Sequence, residues 1–143
     1  MKNKPQTVTI KIPGDLESLG VAQALFSGLM KMHTWLGDLE EARPVSLSLA
    51  FLEMIENAAE WGSLHDPNKE IVITFEILNE QLKIIIQDQG NGFDIEQVPD
   101  PTLPENILKD GGRGIFYARQ AYDSVWYEDG GRRAILIRKN DTT

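Results

Sequence analysis

Alternation of hydrophobic and polar positions predicts five short strands in this chain. The stretch TVTIKI (residues 7–12) alternates strictly and is followed by a Pro-Gly pair (13–14), which is typical of a strand that ends in a turn. Two further strand-like runs, EIVITFEIL and QLKIIIQD, meet at residues 79–80 and predict a hairpin. A last pair, SVWYED and RRAILIRK, predicts a second hairpin over the glycines at 130–131.

Apolar residues spaced three or four apart predict three helices. The first begins after Asp15, a typical N-cap, and its apolar stripe runs towards Gly37. After a short acidic connection, the second helix covers VSLSLAFLEMIENAAEWG (45–62), with its final glycine as a helix stop. The third covers GIFYARQAYD (114–123). Before it lie residues 89–112, and a loop of that length in a compact domain is typical of a lid or a binding segment.

The order of these elements is strand, two helices, hairpin, long loop, helix, hairpin. Such an order predicts an α+β fold, a two-layer sandwich of a mixed β-sheet with helices on one face. The 143 residues suit one domain, and no repeat, low-complexity tract or linker divides the sequence. We therefore expect a single domain over residues 1–143, with a lid at about 89–112.

Composition and charge narrow the classes of function. With 41% hydrophobic and 25% charged residues, the chain should be globular rather than disordered. A net charge of −8 disfavours a nucleic-acid partner, because phosphate contacts need clustered Lys and Arg. The apolar runs are too short to span a bilayer and no export signal is visible, so we expect a cytoplasmic protein without a membrane partner. The absence of cysteine excludes disulfides, thiolate metal sites and a cysteine nucleophile.

Glu53 and Asn57 form the first candidate site. They are four residues apart on the second helix, so their side chains lie one above the other on one face. Glu56 and Glu60 flank them, and the solvated stripe of an amphipathic helix would have the same pattern. Asparagine, however, is a poor helix former in the middle of a helix. A carboxylate one turn from an amide oxygen can serve as a base beside a ligand for a hard cation such as Mg²⁺.

Two glycine-containing segments form the other candidate sites. In DQGNGF (88–93), Asp88 ends a strand and can accept a hydrogen bond from an exocyclic amine, while Gly90 and Gly92 let a flat ring or a phosphate approach the backbone. In KDGGRGIF (109–116), three glycines precede a helix, whose N-terminal amides and dipole attract anions. Taken alone, each segment is also compatible with an ordinary loop.

In this order the three segments resemble the signature of the Bergerat ATP-binding fold, which gyrase-type ATPases, histidine kinases and anti-sigma-factor kinases share. The ExxxN pattern (53–57) is similar to the N box, DQGNGF to the first glycine box, and GGRGIF (111–116) to the second. The short chain, the SLAFLEMIENAAEWG helix and the compact lid most resemble the anti-sigma-factor serine kinases of bacteria.

This resemblance implies an ATP-dependent serine/threonine protein kinase. Such an enzyme would phosphorylate a small antagonist protein of the anti-anti-sigma type, and would hold a sigma factor or another effector until that antagonist competes for it. Glu53 would be the catalytic general base, Asn57 would hold Mg²⁺, and Asp88 would bind the adenine amino group. A homodimer is also expected, with an apolar helix face near the N-terminus as its interface. The implied ATP-binding residues are Asn57, Asp88, Gly90, Gly92, Lys109, Gly111, Gly112, Arg113 and Gly114.

Two positions depart from the family pattern. Trp61-Gly62 stands where relatives commonly have His-Gly, and Ala134 where they often have a threonine near the adenine. One alternative is a nucleotide-binding switch module that sequesters a partner with little or no kinase activity. Trp61 and Lys109 keep that alternative open, whereas the N box argues against it. Another is the catalytic fragment of a histidine kinase, although such a fragment usually has a longer lid and a phospho-accepting helical hairpin.

Overall fold

A five-stranded antiparallel sheet forms one layer of the fold. The computed structural model describes residues 5–42, 46–94, 96 and 113–141. The spatial order of the strands is β1-β2-β3-β5-β4, and every pairing in the described residues is antiparallel. The strands are β1 (Gln6–Pro13), β2 (Glu70–Ile77), β3 (Gln81–Gln87), β4 (Ser124–Glu128) and β5 (Arg133–Lys139).

The four helices among the described residues pack on one face of this sheet, so the predicted α+β fold is confirmed. The sheet itself was predicted to be mixed and is antiparallel, because β5 returns along β3 in the opposite direction and the two hairpins impose the same relation on their own strands. The helices are α1 (Leu19–Met32), α2 (Thr34–Ala42), α3 (Leu47–Asn57) and α4 (Arg113–Ala121). No helix among the described residues is long and apolar enough to cross a membrane.

The first predicted helix is interrupted at His33. Asp15 caps a short 3-10 turn, with its Oδ1 accepting a hydrogen bond from the backbone N–H of Ser18 at 2.9 Å, and α1 follows directly. The imidazole of His33 is buried at the junction of α1 and α2, and its Nε2 lies 2.9 Å from Oε1 of Gln6 on β1. The prediction of one helix reaching Gly37, with a connection after it, was therefore wrong.

Helix α3 is capped at its N-terminus and is followed by a π-helical turn at its C-terminus. The side chain of Ser46 accepts a hydrogen bond from the backbone N–H of Leu49, which satisfies one N-terminal donor of the helix. After Asn57 the chain continues as a π-helical turn over Ala58–Gly62, where the sequence predicted an uninterrupted α-helix. Single π turns in α-helices are frequent at functional sites.

The core lies between the helices and the buried face of the sheet. Three aromatic rings at its centre, from α1, α3 and β2, have centroids 5.0 to 5.5 Å apart; they belong to Phe26, Phe51 and Phe75. On β3, the buried face carries Leu82, Ile84 and Ile86, and the next residue of that face is Asp88. The alternation of the strand thus carries a carboxylate into the helix-covered layer.

Candidate functional site

The end of α3 and the start of α4 meet at Glu53, Asn57 and Gly114. A Cβ atom at Gly114 would lie 2.9 Å from Nδ2 of Asn57 and 3.3 Å from Cβ of Glu53. These spacings are tighter than ordinary van der Waals contact, so glycine permits the close approach of the two helices. The fold thus brings the N box and the second glycine box, which are far apart in the sequence, into contact here.

Gly62, Asp88 and Gly90 form a second close contact. A Cβ atom at Gly62 would lie 2.5 Å from Oδ2 and 2.7 Å from Oδ1 of Asp88. A Cβ atom at Gly90 would lie 2.6 Å from the Cα atom of Gly62. The π-helical turn therefore packs its glycine directly against the carboxylate and the loop that follows β3.

The carboxylate of Asp88 is buried and only partly paired. Its Oδ1 accepts a hydrogen bond from the backbone N–H of Gly90 at 2.8 Å, and its own N–H donates to the carbonyl of Arg132 at 2.9 Å. Burial raises the pKa of Asp88, the Gly90 N–H and the charge of Arg132 lower it, Asp129 raises it, and Lys69 lowers it. Within the described residues, Oδ2 accepts no hydrogen bond, so it can receive one from a ligand amine.

The guanidinium of Arg132 holds the loop after β3 in place. Its Nε donates to the carbonyl of Gly90 at 2.9 Å, its Nη2 to that of Asn91 at 3.3 Å, and its Nη1 to that of Asp129 at 2.9 Å. The loop is also paired with the β4–β5 turn, because the N–H of Phe93 donates to the carbonyl of Gly130 at 2.8 Å.

Gly92 has a positive φ of 78°, and a Cβ atom there would clash with the carbonyl group of Gly130. This position therefore needs glycine both for its left-handed backbone and for its close contact with the turn.

Negative charge collects along the exposed side of α3. Burial raises the pKa of Glu56, and the charges of Glu53 and Glu60 raise it further. A cation bound near this side would relieve the repulsion, and the carboxylate and amide oxygens of Glu53 and Asn57 are ligands that suit Mg²⁺. The residues present therefore fit a magnesium ion at the end of α3.

Comparison with known proteins identifies the family. Residues 12–139 match the sequence model of the histidine kinase-like ATPase domain. The chain belongs to this family.

Among its relatives is the serine-protein kinase RsbW of Bacillus subtilis (strain 168), which is 28% identical over 131 residues, 87% of this chain and 79% of that protein. The serine-protein kinase RsbW of Staphylococcus aureus (strain JH9) is 29% identical over 133 residues, 87% of this chain and 80% of that protein. The predicted resemblance to the anti-sigma-factor kinase family is thus confirmed, as are the predicted class of enzyme, a kinase, and ATP as its nucleotide.

The structure brings together most of the predicted site residues that it describes. Glu53, Asn57 and Gly114 form one group, and Asp88 with Gly90 forms the other, joined through Gly62. Of Arg113 the backbone at the start of α4 is described. The predicted phosphate-binding residues Lys109, Gly111 and Gly112, and most of the predicted lid, lie outside the described residues.

Two residues at the site were missed by the sequence reasoning. Gly62 was predicted to be a helix stop, whereas it supports the Asp88 carboxylate. The Trp-Gly pair in place of the family's His-Gly was the signal that could have indicated this role. Tyr127, predicted only as part of a strand, places its ring edge-on to that of Phe93, with centroids 4.8 Å apart. No sequence signal marked that position.

Proposed function

We propose that this protein, as one domain over residues 1–143, is an ATP-dependent serine/threonine protein kinase that acts as an anti-sigma-type partner-switching regulator. Its substrate would be a serine or threonine hydroxyl on a small antagonist protein. The observation that carries the proposal is the meeting of Glu53, Asn57 and Gly114 towards the end of α3. The turn that follows this helix packs Gly62 against the buried Asp88 carboxylate.

Asp88 would bind the base of the nucleotide. Oδ2 of this largely buried carboxylate has no donor among the described residues, and such an oxygen is complementary to the exocyclic amine of adenine. Gly90 and Gly92 would contribute by letting the loop after Asp88 pack closely against Gly62 and Gly130, which holds its backbone beside the base. The packing of Gly62 and Gly90 against Asp88 supports this assignment.

The start of α4 and the preceding glycines would bind the phosphates. Helix N-termini attract anions through unpaired N–H groups and the helix dipole. The residues we assign to this end are Lys109, Gly111, Gly112, Arg113 and Gly114, and Asn57 would hold both the nucleotide and Mg²⁺. The ion, when bound, would neutralise phosphate charge.

Glu53 would act as the general base. Its carboxylate accepts the proton of the substrate hydroxyl as the hydroxyl oxygen forms a bond with the γ-phosphorus of ATP. The bond between that phosphorus and the β–γ bridging oxygen breaks, and ADP leaves with the bridging oxygen. Because phosphoryl transfer depends mainly on positioning and charge neutralisation, the packing of Glu53 against Gly114 supports the role by fixing the base beside the phosphate end.

We further propose that the protein works in the cytoplasm as a homodimer through the exposed side of α1. Val21 and Met32 expose 59% and 60% of their surface on this side, and Cβ atoms at Gly20 and Gly28 would meet nothing within 4 Å. The exposed residues of α1, all within the described part of the chain, include one charged side chain, Lys31. Two acidic chains could therefore pack closely here with little charge repulsion.

Its protein partners would be a sigma factor or another effector, and an anti-anti-sigma-type antagonist as substrate. An antagonist encoded beside the kinase gene would be the first candidate substrate. Transfer of labelled γ-phosphate from ATP to this antagonist would test the kinase activity. Acid-stable phosphoserine or phosphothreonine is the expected product, whereas acid-labile phosphohistidine would indicate a histidine kinase.

Calorimetric titration with Mg-ATP tests the nucleotide site. We expect the wild type to bind, Asp88→Asn to bind much more weakly, and Asp38→Asn, a matched change at an exposed residue of α2, to bind as the wild type does. Failure of the folded wild type to bind ATP would contradict the proposal. Binding without phosphorylation of any antagonist would favour the switch module instead.

A further inference from the structure

Tyr127 lies on the same face of the sheet as Asp88, the residue that we propose to bind adenine, and two strands away from it. In the register of the sheet it pairs with Ala134 on β5, which pairs in turn with Ile86 on β3. Asp88 is the next residue along that face of the β3 segment, because side chains two residues apart point to the same side. Ala134, which lies between Tyr127 and Ile86 in this row, has only a methyl side chain.

Helix α3 and the loop after Asp88 both contact the Tyr127 side chain. Its hydroxyl lies 3.8 Å from Sδ of Met54, the residue after Glu53 on α3, and its ring contacts Phe93 in the loop after Asp88. Burial raises the pKa of Tyr127, the positive charge of Arg119 lowers it, and the negative charge of Asp88 raises it again.

Tyr127 is half-buried, and its hydroxyl has a weak hydrogen-bond partner. Among the described residues, its one hydrogen-bond acceptor is the thioether sulfur of Met54, and sulfur is a poor acceptor. A ligand atom that offers a good acceptor near Met54 and Asp88 would satisfy this donor.

We propose that Tyr127 is a second base-recognition residue, whose hydroxyl donates a hydrogen bond to N1 of adenine while Asp88 accepts one from the N6 amine. This inference rests on the proposed function, since it needs adenine in the pocket. With adenine bound, Asp88 would supply the acceptor and Tyr127 the donor, and the N6–N1 edge of adenine presents the complementary donor and acceptor. Guanine carries the opposite arrangement at these positions, an O6 acceptor beside an N1–H donor. Tyr127 therefore discriminates between the two purine nucleotides.

The first test compares Tyr127→Phe with wild type in calorimetric titrations with Mg-ATP and Mg-GTP. Removing the hydroxyl should weaken ATP binding by about tenfold, the effect of one hydrogen bond, with little change for GTP, so the ATP/GTP preference falls by a similar factor. Tyr117→Phe is the matched control, because Tyr117 lies on α4 with its ring against Phe116, and should leave both affinities unchanged. A melting temperature equal to that of the wild type shows that Tyr127→Phe is folded.

The second test uses 1-deaza-ATP, which lacks the N1 acceptor, in a cycle with Tyr127→Phe. The analogue should bind the wild type about tenfold more weakly than ATP, and the variant should bind ATP and the analogue alike, because either change removes the same hydrogen bond. Independent, additive losses would overturn the proposal, as would an unchanged ATP affinity in Tyr127→Phe. If the wild type bound no nucleotide, the proposed function itself would fail, and this assignment with it.

Discussion

The substitution Gly62→Ala tests whether the position of the Asp88 carboxylate, which packs against Gly62, matters for nucleotide binding. A matched glycine-to-alanine change elsewhere shows the general effect of such a change on helix stability. The added methyl carbon would lie 2.5 Å from Oδ2 and 2.7 Å from Oδ1 of Asp88, where ordinary contact begins at 3.4 Å. The carboxylate or the turn must therefore move by roughly 1 Å, in an interior that is already close-packed. Overpacking of this kind reduces the free energy of unfolding by about 1–3 kcal/mol.

The same displacement should weaken nucleotide binding. A hydrogen bond to a charged group contributes about 1.5–3 kcal/mol, so loss of the Asp88 contact predicts a dissociation constant for Mg-ATP that is raised on the order of 10- to 100-fold. Calorimetric titration measures the affinity, and urea denaturation of the nucleotide-free protein measures the stability. Both measurements are started at a temperature at which the variant is fully folded.

Gly37→Ala is the matched control for that experiment. Gly37 lies in α2, and a Cβ atom there would be 3.5 Å from its nearest neighbour, the carbonyl oxygen of Met30. Alanine should raise the free energy of unfolding by about 0.5–1 kcal/mol, because it favours the helix, and should leave ATP affinity unchanged. The reasoning is refuted if folded Gly62→Ala binds Mg-ATP as tightly as the wild type, since Asp88 would then not need its present position.

Three further predictions address the proposed general base Glu53, the proposed dimer and the buried carboxylate of Asp88. Glu53→Gln should retain Mg-ATP affinity in calorimetry. It should slow phosphorylation of the antagonist by about 10²- to 10⁴-fold, because an amide cannot accept the proton. Unchanged turnover would exclude Glu53 as the general base. The double variant Val21→Glu, Met32→Glu should sediment as a monomer, since it places carboxylates in the α1 face; a persistent dimer would mean another interface. Because burial raises the pKa of Asp88 above its ordinary value of 3.8, ionised Asp88 destabilises the folded state at neutral pH, and this penalty disappears as the pH falls through the raised pKa. Asp88→Asn should therefore raise the free energy of unfolding at pH 7 in urea denaturation, and a gain that grew towards acid pH would contradict this sign.

The parts of the fold that depend on neighbouring residues could be predicted from the sequence. The hairpin turns at residues 79–80 and 130–131 follow from strand alternation and turn residues alone, and both are present. Asp15 caps the turn that leads into α1, as its residue type predicts. The four-residue spacing of Glu53 and Asn57 gave the correct helix, because it depends only on local helical geometry.

Features that depend on distant partners could not be predicted in this way. The break between α1 and α2 places His33 against Gln6, and nothing in the apolar stripe around His33 indicates that contact. The packing of Gly62 depends on a carboxylate that enters from another strand, so the local pattern showed only a helix end. Nothing in the local sequence around Arg132 indicates that its guanidinium binds the carbonyls of Gly90 and Asn91.

That guanidinium has a consequence for the thermodynamics of ligand binding. Because Arg132 bonds to the loop after β3 and to the β4–β5 turn at once, the fold itself supplies the contacts that hold the backbone around Gly90 and Asn91. Ordering a backbone residue costs about 1–2 kcal/mol of conformational entropy, and here that cost falls on folding rather than on binding. The base end of the pocket is thus a preorganised template, whose affinity reflects the contacts it makes with the ligand.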